Sequence, residues 1–72
     1  MKFIVDVVLR WDSLGAIGKI PFRFSIPCEA NQKTVSIYFF SYWRGFLTSL
    51  LTVESIVIDS IVKIEGVEEK ND

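Results

Sequence analysis

Hydrophobic and polar residues alternate cleanly over the first third of the chain. In residues 2–11, Phe3, Val5, Val7, Leu9 and Trp11 fall on one side, which predicts a strand with a buried face. Its second side carries Lys2, Asp6 and Arg10, but also Ile4 and Val8, so that side is only half polar. In residues 19–27, Ile20, Phe22, Phe24 and Ile26 alternate with Lys19, Pro21, Arg23 and Ser25. Pro21 and Pro27 lack the N–H that a ladder needs, which predicts an edge position for this second strand. Residues 33–40 alternate again, with Val35, Ile37 and Phe39 opposite Thr34, Ser36, Tyr38 and Phe40, and predict a third strand. The turn Glu29-Ala30-Asn31-Gln32 would join the second and third strands as an antiparallel hairpin, with Asn31 suited to a left-handed conformation. The connector 12–18 has room for one helical turn, capped by Asp12 or Ser13 and stopped by Gly15 and Gly18.

The period changes after residue 40. From Ser41 to Ile64 the row Trp43, Phe46, Leu50, Val53, Val57, Ile61 and Ile64 repeats every three or four residues, the pattern of an amphipathic helix. A second row, Leu47, Leu51, Ile58 and Val62, lies beside it. Together they span about half the helix circumference, wider than the stripe of about 100° that one core requires. The excess implies contact with the domain's own sheet and with another chain. Glu54 falls inside this arc, either as a rim residue reaching water or as a charge held for a basic group on a partner. Gly66 would end the helix, and the acidic residues 65–72 are expected to form a disordered tail. The expected fold is therefore α+β: a single domain over 1–64, with a three-stranded antiparallel sheet and one long C-terminal helix packed on one face. The residues expected to meet a partner are Ile4, Val8, Tyr38 and Phe40 on the sheet and Leu47, Leu51, Ile58 and Val62 on the helix, with Glu54.

Composition narrows the function. Seventy-two residues make one small domain, marginal on its own at this size. Half of the residues are hydrophobic. Eight basic residues are nearly cancelled by nine acidic ones, so weak or no direct nucleic-acid binding is expected. The one cysteine, Cys28, cannot form a disulfide within the chain and suits a reducing, cytoplasmic setting. The opening MKFIVDVVLR meets charges too soon for a secretory segment, and Arg44, Glu54 and Asp59 interrupt any spanning stretch, so no membrane partner is expected. Histidine is absent and the carboxylates are scattered, so no catalytic residue, metal site or cofactor is expected.

The segment Lys33 to Ile64 resembles the C-terminal half of the small dimerisation subunit of the KEOPS complex. In that family a strand and a short link open a long helix beginning Arg-Gly or Arg-Ala; here the junction reads Ser41-Tyr42-Trp43-Arg44-Gly45. Thr48-Ser49-Leu50-Leu51 and Ile58-Asp59-Ser60-Ile61 match the patterned turns that follow, and Lys2 to Trp11 fits the opening strand. The connector 12–18 is too short for the family's helix there, and Thr52-Val53 replaces its Arg-aromatic pair, which points to a diverged paralogue. The resemblance implies a non-catalytic subunit in the complex that places threonylcarbamoyl on tRNA adenosine. Such a subunit would pair with the ordinary dimerisation subunit, and it could also contact the catalytic synthase subunit. The alternative is an unrelated small dimeric protein-interaction module.

Overall fold

The structure, a computed structural model, describes residues 2–67. Two of the expected elements form as strands. β1 (Lys2–Ser13) and β2 (Ala16–Ile26) pair antiparallel, and the residues between them, Leu14 and Gly15, take positive φ angles of 50° and 85°. Two consecutive left-handed residues produce the tight turn whose twist matches a two-residue hairpin. The connector expected at 12–18 is thus mostly strand, and the hairpin joins the first and second strands rather than the second and third. Gly18 lies opposite Trp11, and a Cβ there would collide with the indole.

The chain then turns helical in the region expected to be the third strand. α1 (Gln32–Tyr38) runs into a π-helical turn (Phe39–Trp43) and on into α2 (Arg44–Leu51). Asn31 caps the start: its Oδ1 accepts the Thr34 N–H at 3.0 Å, while Thr34 Oγ1 accepts the Asn31 N–H at 2.9 Å. This reciprocal box satisfies two amide groups that a helix start leaves orphaned. The buried residues along the helix are Val35, Phe39 and Leu47, with half-buried Trp43 between them, each four apart. In an ideal α-helix a spacing of four drifts about 40° per step. The wider π turn takes up that drift; its signature is the Arg44 N–H bonded to the Phe39 carbonyl, five residues back. At the far end Thr52 is left-handed (φ 53°). Its N–H bonds to the Ser49 carbonyl at 3.3 Å, and the Val53 N–H bonds to the Thr48 carbonyl at 3.2 Å. This paired closure stops the helix after Leu51, well short of Ile64.

The second half of the expected helix is a strand. β3 (Ser55–Val67) pairs antiparallel with β1, giving the order β2-β1-β3 with β1 central. Its β-branched content, Ile56, Val57, Ile58, Ile61, Val62 and Ile64, favours a strand locally. Two register shifts, between Asp6 and Val7 and between Val8 and Leu9, leave Val62 and Asp59 without partners in the ladder. Each extra residue stretches the strand's period from two to three, so the side facing the helix reads Ile56, Ile58, Ile61, Ile64. That spacing of three imitates a helix in the sequence.

The fold is therefore α+β with a three-stranded antiparallel sheet, but its helix lies between β2 and β3 rather than at the C-terminus. The core lies between the helix and one sheet face: Val5, Val7 and Leu9 from β1, Phe24 and Ile26 from β2, Ile56 from β3, and Val35, Phe39 and Leu47 from the helix. Trp43 packs edge-on against Phe22, with ring centroids 5.3 Å apart, which sets this side of the helix over β2. β3 extends through residues 65–67, so these belong to the sheet; the remainder of the expected tail, 68–72, lies outside the described residues.

Candidate interaction surface

The even-numbered side chains of β1 point away from the helix. Ile4, Asp6, Val8 and Arg10 sit opposite Ser25, Arg23, Pro21 and Lys19 of β2, and opposite Glu65, Lys63, Ser60 and Val57 of β3. No element among the described residues covers this face. Its charges are matched to one another. Arg23 donates to both oxygens of Asp6, at 2.7 and 3.1 Å, and Lys19 reaches Asp59 at 3.1 Å. The hydrogen bonds from Arg23 hold the Asp6 carboxyl below the usual carboxylate range, and the same bonds raise Arg23. Between the pairs lie Ile4, Val8, Pro21, Val57 and Val62. Asp6, Val8, Pro21, Arg23 and Val62 line an open depression of about 550 Å³. An antiparallel sheet with one solvated face ordinarily alternates apolar-in with polar-out. Here the outer side keeps a band of apolar side chains between ion pairs.

Ile4 and Val8 therefore lie on the face assigned to them, and Val62 joins them from β3 instead of from a helix. The other expected interface residues are placed differently. Tyr38 and Phe40 belong to the helical segment and do not line the sheet. Leu47, expected on the partner flank, is 6% exposed and part of the core, because it continues the row from Val35 through Phe39 and Trp43. Ile58 is on β3, half-buried against the core. Leu51 is exposed at the helix end and borders a second depression of about 380 Å³, with Trp11, Ser13, Ile20, Thr52 and Val53. Glu54 is not inside an apolar arc: it is an exposed turn residue whose N–H donates to the Asp12 carbonyl at 3.0 Å. Reading β1 and β2 as one hairpin would have brought Asp6 and Arg23 together from sequence, since both were already assigned to outward sides.

The helix presents a second exposed surface. Ile37, Phe40, Tyr42, Phe46 and Leu50 are each more than half exposed. Tyr42 stacks on Tyr38 with centroids 5.7 Å apart, and the Arg44 guanidinium lies 5.2 Å from the Phe40 ring centre. Beneath them Cys28 is a free, half-buried thiol. The charge interaction with Cys28, and then burial, push the Tyr38 phenol above its usual range.

Among the described residues no group of three or more His, Cys, Asp or Glu side chains is arranged to hold a metal ion. Among the same residues no helix is long and apolar enough to cross a membrane. No family model matches the chain. No curated protein and no solved structure shows significant similarity to it.

Proposed function

We propose that this protein is a small, non-catalytic protein-interaction module that works as part of a dimer, homomeric or heteromeric, through the open face of its sheet. One observation carries the reading: Ile4, Val8, Pro21, Val57 and Val62 form an apolar band on the side of the sheet that the helix leaves bare. Folding does not require them there, since the core is built on the opposite side. The flanking ion pairs fix the positions of the charges beside the band, which favours a defined docking register over general stickiness. A cytoplasmic location fits the single free cysteine.

The KEOPS-type subunit is a narrower form of this reading. Its support was a strand, a link and a helix start at Arg44-Gly45. In the fold that dipeptide lies in mid-helix, directly after the π turn, so the element order behind the resemblance is not the order of the chain. Sedimentation equilibrium over the micromolar range, together with capture of a tagged copy from its native cells, tests both levels. Self-association, or a stoichiometric protein partner lost on Val62→Asp, supports the module. Tagged protein that returns tRNA-modification subunits, and loses them on the same substitution, supports the narrower form. A monomer that recovers no partner contradicts the proposal.

A further inference from the structure

The two outer edges of the sheet differ. In an antiparallel ladder successive residues bond to alternate sides. The two-residue turn at Leu14 and Gly15 closes with Ser13 and Ala16 bonded to each other, so odd residues of β1 bond to β2 and even residues to β3. Pro21 stands opposite the even-numbered Val8, so the amide hydrogen it lacks is one that would face outward. The edge of β2 is therefore interrupted near its middle. β3 has no proline in its 13 residues, and among the described residues no backbone hydrogen bond joins its outer edge to another element. The β3 residues opposite odd positions of β1 turn their amide groups to that edge. They are Ile56, Ile58, Ile61, Ile64 and Gly66, opposite Trp11, Leu9, Val7, Val5 and Phe3. The two bulges give this row steps of two, three, three and two residues, which read the same in both directions about Ile61.

We propose that β3 pairs antiparallel with β3 of a second copy, on a two-fold axis at Ile61, and joins the two sheets into one of six strands. This register uses the whole of β3, with Ser55 facing Val67 of the second copy. It sets Ile58 against Ile64 and Ile56 against Gly66, so the row of each copy meets its own reverse and all helix-side residues stay on one side. Ile64 lies on the helix side yet is 41% exposed, and Ile58 of the second copy covers it in this pairing. On the bare side Asp59 faces Lys63, once in each direction. Moving the axis to Ser60 or Val62 sets some helix-side residues against bare-side ones, and an axis at Val62 also brings Asp59 opposite Glu65. Bulges and lysines are also devices that guard a free edge; their symmetric placement about Ile61 argues for self-pairing here. The contact is separate from docking on the bare side and leaves that side open across both copies.

Sedimentation of the full chain, with cysteine pairing in a Cys28→Ser background, tests this. In the proposed register Val57 faces Glu65 of the second copy, at a separation that a disulfide spans. Mild oxidation should link a mixture of Val57→Cys and Glu65→Cys proteins into dimers and leave either protein alone unlinked. Lys63→Asp, which sets a carboxylate against Asp59, should weaken self-association about tenfold or more. Adding Asp59→Lys to the same chain should restore it. A wild type that stays monomeric across the micromolar range overturns the proposal, because the bulges and Lys63 then guard the edge. So does a mixture that links no better than its components, or a double charge reversal as weak as Lys63→Asp alone. Val8 lies on β1, away from this edge, so the mixed cross-link should persist in Val8→Asp proteins whatever that substitution does on the bare side. The edge pairing and the bare-side docking therefore fail separately.

Discussion

Val7 and Val8 are neighbours on one central strand, yet they belong to different environments. Val7 is 1% exposed beneath the helix, in a layer with Val5, Leu9 and Phe24. Val8 is half-buried on the bare side, with Pro21 opposite and the Asp6–Arg23 pair beside it. The covered face holds only apolar groups, so its side chains are selected by volume and shape. The open face mixes apolar groups with charges that are already paired on the surface, so its composition answers to something other than the core. The same alternation of the strand thus supplies a folding surface and, one residue apart, the surface proposed for docking.

The sharpest break in this comparison comes from placing the same charge on the covered side. Val7→Asp should unfold the chain. An unpaired carboxylate there costs several kcal/mol, against a total stability of about 4–11 kcal/mol for a domain of this size. Circular dichroism would register the loss of both helix and sheet signals.

A smaller loss is expected at Gly18. An added side chain meets the Trp11 indole on the same covered side, so Gly18→Ala should cost about 1–3 kcal/mol as the ring is displaced. Chemical denaturation would show a lower midpoint, and a change in Trp11 fluorescence would locate the cause.

Thr52 sharpens the comparison from outside either face. It holds a left-handed conformation that glycine adopts without penalty, although its Oγ does donate to the Leu51 carbonyl at 2.7 Å. Thr52→Gly should therefore raise stability by about 0.5–1 kcal/mol and leave partner binding unchanged. A decrease in the thermal midpoint would mean that the helix end is not closed in this way.

The smallest effect concerns the paired charges. Hydrogen bonds from Arg23 lower the folded-state pKa of Asp6 below its unfolded value. The pair's contribution is therefore present above the ordinary carboxylate range and is lost as pH falls through the lowered value. The pair is exposed, so this contribution is small. NMR titration should show Asp6 ionising at lower pH than a free aspartate, and Arg23→Ala should return it to the ordinary range.

How much of this was legible in the sequence depended on whether the backbone stayed regular. β1 and β2 keep an unbroken period of two, and their covered residues, Phe3 to Trp11 and Ile20 to Ile26, could be read directly, as could the edge position that Pro21 implies. The C-terminal half could not be read in that way. Bulges at Val62 and Asp59 turn a strand's alternation into threes, while the π turn lets a helix bury residues at a constant spacing of four. Each irregularity shifts the apparent period toward the wrong element. The alternation of Val35, Ile37 and Phe39 also misled, because Ile37 is 51% exposed while Val35 and Phe39, four apart, are buried by helical spacing. The signal that favoured a helix was local: Asn31 and Thr34, three apart, form a capping pair. Leu14 gave no warning of the hairpin, since leucine is rare at positive φ. The band on the open face was half legible. Ile4 and Val8 were visible on β1, whereas Val57 and Val62 were assigned to a helix that is not there.

Val8→Asp, measured beside the wild type by sedimentation equilibrium and circular dichroism, tests the central claim most directly. The open-face account predicts a native spectrum, a stability loss small beside that of Val7→Asp, and association with the partner or second copy weakened by about tenfold or more. A folded Val8→Asp protein that associates as tightly as wild type would contradict the assignment of the sheet's bare side as the docking surface.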